Sequence, residues 1–133
     1  MPYLFFCQEV TEENIVYDGL ERSYILYVPT SYSPNSETPL VLNLHGYGSN
    51  AGQQMIYSNF YPISDTEGFI LVHPEGTTGP NGFQFWNSGG MSQVDDVGFL
   101  NALIDQISLD FPSCILSNKN NRFSHFCFSL YVF

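Results

Sequence analysis

Leu40-Val41-Leu42-Asn43-Leu44-His45-Gly46-Tyr47-Gly48-Ser49 is a nearly unbroken apolar run that ends in a glycine-rich turn. A short apolar run between turn signals fits a strand buried on both faces, as in a parallel sheet. Phe69-Ile70-Leu71-Val72 has the same character and ends in His73-Pro74-Glu75-Gly76. The stretch between the runs, Gly48 to Gly68, predicts helix. Gln53-Gln54-Met55-Ile56-Tyr57 tolerates helix, Pro62 suits a first helical position, and Gly68 suits the residue just past a helix end. Strand, helix and strand at this spacing predict a right-handed βαβ unit with parallel strands.

Upstream, Arg22 to Val28 is rich in aromatic and β-branched residues and stops at Pro29, which predicts a strand. Asn14 to Tyr17 followed by Asp18-Gly19 predicts a short strand and a tight turn, so the two segments form a hairpin. Ser31 to Pro39 is a loop. Downstream, Thr77 to Gln93 is rich in Gly, Asn and Ser and predicts a long loop, the kind that often carries function. A helix follows. Asp95 or Asp96 caps it, and Leu100, Leu103, Ile104 and Ile107 form one apolar stripe before Phe111-Pro112 ends it. The fold class is α/β.

The chain has 133 residues, room for one domain. With 44% apolar and 17% aromatic residues it can bury a core. Three Lys+Arg against thirteen Asp+Glu give a net charge of −10. That balance excludes a phosphate-tracking nucleic-acid binder and argues against anionic membrane surfaces. No apolar run approaches the length of a membrane-spanning helix. All thirteen acids lie at or before Asp110, with Arg22 the only basic residue among them. Phe111 to Phe133 has no acid, two bases (Lys119 and Arg122) and six aromatics. This break divides the chain into an N-terminal segment (1–13), an α/β body (14–110) and a discordant aromatic tail (111–133). Two readings stay open for residues 1–13: the remnant of a secretory signal that begins upstream, or an ordinary edge segment. Cys7, Cys114 and Cys127 form no C-x-x-C pair, so no zinc knuckle or disulfide framework is expected.

His45-Gly46-Tyr47-Gly48 has the H-G-x-G pattern that supplies half of the oxyanion hole when it follows the third strand of an α/β-hydrolase. The backbone N–H groups of Gly46, Tyr47 and Gly48 are the candidate donors. A tight strand-to-helix turn that merely needs glycine explains the same residues.

Several further pieces fall in a recognisable order. Arg22-Ser23-Tyr24-Ile25-Leu26-Tyr27-Val28-Pro29, Pro39 to Gly46, Asp65 to Gly76, Trp86-Asn87, and Val94-Asp95-Asp96-Val97-Gly98-Phe99-Leu100 are the five. In them the chain resembles the esterase family of secreted polyhydroxybutyrate depolymerases and feruloyl or acetylxylan esterases, over roughly residues 14 to 110. The resemblance implies the N-terminal half of an α/β-hydrolase fold, an antiparallel hairpin leading into a parallel sheet with flanking helices. It implies a serine carboxylic-ester hydrolase acting on polyester or plant-polysaccharide esters, and secretion, although no complete signal peptide is present. The family's nucleophile lies in G-x-S-x-G, and no such pattern occurs in these 133 residues. Asn121-Arg122-Phe123-Ser124 stands where its lead-in is expected, at the compositional break. A frameshift or an early end of the reading frame is the economical explanation. The chain alone is then expected to be inactive, with an exposed sheet edge open to self-association.

Other candidates follow from position. His45 braces the oxyanion turn, and His73 ends a buried strand as a structural residue. Both precede any nucleophile, so neither is the triad base. Asp95 and Asp96 are structural, as helix caps and loop anchors. Trp86 and Asn87 are candidates for lining a substrate groove. His125 stands alone in the tail. No residues have metal-ligand spacing, and no cofactor is expected. A rival reading is a non-catalytic module that binds a polysaccharide or polyester through the Trp86 loop.

Overall fold

The computed structural model describes residues 9–88, 90 and 92–111. The tail from 112 onward, His125 included, and residues 1–8 lie outside them. Strands β1 (Glu9–Tyr17) and β2 (Leu20–Val28) pair antiparallel along their whole length, from Glu9 opposite Val28 to Tyr17 opposite Leu20. Asp18 and Gly19 both take positive φ, 50° and 74°, the two-residue turn whose twist matches the strands it joins. β1 starts five residues before Asn14. Its first half is charged and exposed, so no apolar alternation announces it; main-chain pairing to β2 makes it a strand.

β3 (Leu40–Leu42) and β4 (Ile70–Pro74) lie parallel, with Leu40 opposite Ile70, and β4 also pairs antiparallel with β2. The sheet order is β1-β2-β4-β3. The crossover between β3 and β4 holds two short helices where one was expected, α1 (Ala51–Tyr57) and α2 (Tyr61–Glu67). Proline cannot sit inside a helix, so the helix restarts with Pro62 in the first turn of α2. Asn50 caps α1 through Gln53 N–H, and Gly68 closes α2. The 77–93 segment is not wholly irregular. β5 (Thr77–Thr78) and β6 (Gln84–Phe85) form a small ribbon, closed by Gly79 N–H to Phe83 O at 2.8 Å. Two-residue strands are too short to show a period. α3 (Asp96–Asp110) follows, capped by Asp95.

β4 explains why its sequence is uniformly apolar. Ile70, Leu71 and Val72 are all fully buried, although successive side chains point to opposite faces. On one face Leu26, Leu42, Ile70 and Val72 meet Phe99, Leu103, Ile104 and Ile107 of α3. Phe99 joins the expected stripe as a fully buried residue, while Leu100 is only half-buried at its border. On the other face Tyr27, Val41 and Leu71 pack under Phe60, Tyr61 and Phe69. Tyr27 stacks on Tyr61 at 4.0 Å, and its hydroxyl donates to Asp65 at 2.8 Å, docking α2 on β2. Complete burial of each such aliphatic side chain contributes about 1.5–3 kcal/mol. Among the described residues no helix is long and apolar enough to cross a membrane.

His73, next to last in β4, is fully buried, and neither ring nitrogen makes a well-formed hydrogen bond among the described residues. Burial pushes its pKa down to about 4, against a smaller upward pull from the Asn43 main chain. The unfolded chain takes up this proton near pH 6.5, whereas the folded chain resists it until about pH 4. Stability from this site is therefore full above the unfolded value and falls through that window, by on the order of 3 kcal/mol in all. Between about pH 7 and about pH 5 the wild-type chain should lose roughly 2 kcal/mol more than His73→Leu. Thermal or urea unfolding at the two pH values measures the difference, and equal losses in both proteins would contradict it.

Candidate functional site

The site is built where β3 ends. Asn43 extends the pairing through its N–H to Val72 O at 2.8 Å. Its side chain donates to Ser58 Oγ and accepts from Gln54 Nε2, which fixes α1 against the strand. The chain then turns sharply. Ser49 N–H donates to Gly46 O at 3.1 Å, and Gly48 at the third position has φ 75°, a conformation that favours glycine. Gly48 N–H donates to Gln84 O at 2.8 Å. Of the three candidate donors, Gly48 is thus committed to holding the ribbon and is not available to a ligand. Gly46 and Tyr47 N–H have no acceptor among the described residues.

The direction of the Tyr47 N–H follows from peptide geometry. Gly46 O and Tyr47 N–H belong to one trans peptide and point opposite ways. Gly46 O is held twice, by Ser49 N–H and by His45 Nδ1 at 2.8 Å. The Tyr47 N–H is therefore turned away from the closed turn. His45 is fully buried, and its Nε2 accepts from Gly76 N–H at 2.9 Å. A carbonyl can only accept and an amide N–H can only donate, so these partners select the neutral ring with the proton on Nδ1.

Beside the turn lies a cleft of about 620 Å³, lined by Leu44, Phe85, Trp86, Val97, Leu100 and Tyr47 among others. Its walls are largely apolar, as small-molecule sites usually are. Trp86 donates from Nε1 to His45 O at 2.9 Å, which fixes its ring beside the cleft. Tyr47 is 63% exposed; its ring leans on Phe83, and its hydroxyl accepts from Asn81 at 2.7 Å. Asn87 borders the cleft, but its amide is occupied. Nδ2 donates to Ser92 O and Val94 O, and Oδ1 accepts from Ser92 N–H. Asn87 thus stitches its own loop while lining the edge of the cleft.

Asp95 accepts from Gly98 N–H and from the Tyr17 hydroxyl, and these two bonds hold its carboxyl below the usual range. Asp96 is buried against Arg22 at 2.8 Å and accepts from Asn87 N–H. Arg22 also donates to Glu75 O and lies over the Phe99 ring at 3.9 Å. Local sequence signals put Arg22 in a strand and Glu75 just after one, and none of them points to the roles of Arg22, Glu75 or Asn81 at the site. Their partners are distant in sequence, so no spacing signals them; the only hint for Arg22 was that it is the lone base before residue 111. Among the described residues no group of His, Cys, Asp and Glu could hold a metal ion.

Removing one partner of a buried ion pair leaves a charge without compensation, at about 3–5 kcal/mol. Asp96→Asn should therefore lower stability by that order and loosen the 87–94 loop, while Asp105→Asn on the exposed side of α3 should cost little. Chemical denaturation of both variants checks this, and equal small losses would show the pair to be dispensable.

No family model matches the chain. It is 31% identical over 93 residues to the bifunctional acetylxylan esterase/xylanase XynS20E of Neocallimastix patriciarum, covering 70% of this chain and 13% of that protein. In structure it matches the S-formylglutathione hydrolase of Agrobacterium tumefaciens at a TM-score of 0.60 and 15% identity, over 83% of this chain and 46% of that one. A ferulic acid esterase matches at 0.61 and 15% identity, over 78% and 44%. The chain spans under half the length of these solved structures and about an eighth of the curated relative. The described residues form part of an α/β-hydrolase fold, and in sequence the chain resembles an acetylxylan esterase/xylanase.

Proposed function

We propose that this chain carries one half of the oxyanion hole of a serine carboxylic-ester hydrolase acting on polyester or plant-polysaccharide esters. The observation that supports it most is the Tyr47 N–H, without a partner among the described residues and turned away from a doubly held carbonyl, beside an apolar cleft. In ester hydrolysis a serine attacks the carbonyl carbon, and the carbonyl oxygen takes up negative charge. A fixed N–H in a water-poor cleft stabilises that oxygen far better than a mobile donor in water, because no reorganisation is needed as the charge develops. Trp86 and Leu100 supply a flat apolar wall for the acyl or aryl group.

A serine in G-x-S-x-G, its base and its acid complete such a site, together with a second N–H from the residue after the serine. The 133 residues contain no G-x-S-x-G, so these residues alone are expected to hydrolyse p-nitrophenyl acetate no faster than buffer. Binding should survive without turnover. A carboxylate product such as ferulate places an anionic oxygen where the oxyanion develops, and its titration into ¹⁵N-labelled chain should move the Tyr47 amide resonance. Trp86→Ala should weaken that response several-fold. Tight binding to insoluble xylan or polyhydroxybutyrate with no response at Tyr47 would instead favour the non-catalytic module.

A further inference from the structure

Two loops meet on the His45 ring. Nδ1 donates to Gly46 O in the turn after β3, and Nε2 accepts from Gly76 N–H in the loop after β4. The second contact is close-fitting, since a Cβ on Gly76 would lie 2.6 Å from Phe85 O and 3.1 Å from His45 Nε2. The Glu75 carboxylate stands 3.4 Å from the same Nε2. That carboxylate already accepts from Ala51 N–H, the first residue of α1, at 3.1 Å. Trp86 lies beside the ring at 5.2 Å and is the only tryptophan of the chain. The other charged groups nearby are occupied: Asp96 by Arg22 and Asn87 N–H, and Arg22 by Asp96 and Glu75 O.

We infer that His45 is a proton-operated latch. The neutral ring joins the Gly46–Ser49 turn to the Gly76 loop, and a proton on Nε2 opens that joint and transfers the ring to Glu75. The chemistry is a change of role at one atom. Neutral Nε2 offers a lone pair to Gly76 N–H; protonated Nε2 carries a hydrogen, and two N–H groups then face each other without an acceptor. The carboxylate at 3.4 Å takes the new N–H as a charge-assisted bond. Nδ1 is protonated in both states, so the bond to Gly46 O persists and the turn stays closed. What is released is Gly76, with the ribbon strand packed on it. Glu75 shares its oxygens between the ring and Ala51, so the change reaches the start of α1. Only the consequence for catalysis rests on the esterase reading: acid would free one wall of the cleft while leaving the Tyr47 N–H aimed.

The chain can be tested as it is. Imidazole ¹⁵N shifts at neutral pH should show His45 protonated on Nδ1 alone. On acidification, Trp86 fluorescence should fall in one step, because a histidinium forms against its ring. The Ala51 amide should shift with the same midpoint. His45→Gln keeps an acceptor for Gly76 N–H and cannot take the proton, so it should lose the fluorescence step while unfolding at a similar temperature. Glu75→Gln should lose the Ala51 shift. A wild-type ring protonated on Nε2 at neutral pH overturns the inference with no variant needed, and so does a step that persists in His45→Gln. None of these readouts uses an ester or a carboxylate ligand, so failure of the latch is distinguishable from failure of the Tyr47 site.

Discussion

The buried Arg22–Asp96 pair is the constraint around which the other parts are placed. Thirteen acids share a chain with one base before residue 111, and that base lies near the start of β2, sealed beneath the first turn of α3. A guanidinium at 4% exposure depends on a nearby opposite charge, because a buried cation without one is costly. Asp96 and Glu75 O both bond Nη2 and the Phe99 face lies over the carbon, while Nη1 has no hydrogen-bond partner among the described residues. Asp96 in turn accepts from Asn87 N–H. One ion pair thus locates the hairpin, α3, the loop after β4 and the start of the 87–94 loop relative to one another. The rest of the acidic charge stays outside, where solvent screens it.

The cleft is a consequence of that placement. α3 brings Val97 and Leu100 over the end of β3, the ribbon brings Phe85 and Trp86 from the side, and Leu44 forms the floor. Its polar edge combines main-chain groups of the 46–48 turn with side chains held by hydrogen bonds, Asn81 on Tyr47 and Asn87 in its own loop. This suits stabilisation of a charge that appears on a substrate atom, where direction matters more than donor number. His45 contributes without facing the cleft as a reactive group: its ring and its carbonyl each hold another part of the wall.

The βαβ unit, the hairpin and α3 were readable because each obeys one local rule. Uninterrupted apolar runs mark doubly covered strands, Asp-Gly marks the two-residue turn, and a capping aspartate before a stripe of period 3.6 marks the helix. The ribbon and the charged half of β1 were not readable, because pairing alone makes them strands. The site was legible in part. The H-G-x-G turn fell where its residues predict, yet Gly48 N–H went to Gln84 and the Asn87 amide went to its own loop, choices made by partners that fold against them.

The amino-acid sequence by itself determined the fold class, the end of β3 as the place to look, and the acidic character of the chain. Those properties depend on which residues are apolar and where glycine, proline and aspartate punctuate them, all local in origin. Only the tertiary structure decided which backbone donors stay open, which tautomer His45 adopts and which aspartate meets Arg22. Hydrogen bonds and ion pairs are short-ranged and directional, so they form between atoms that the packed chain brings together, and residues distant in sequence carry no periodic trace of that meeting.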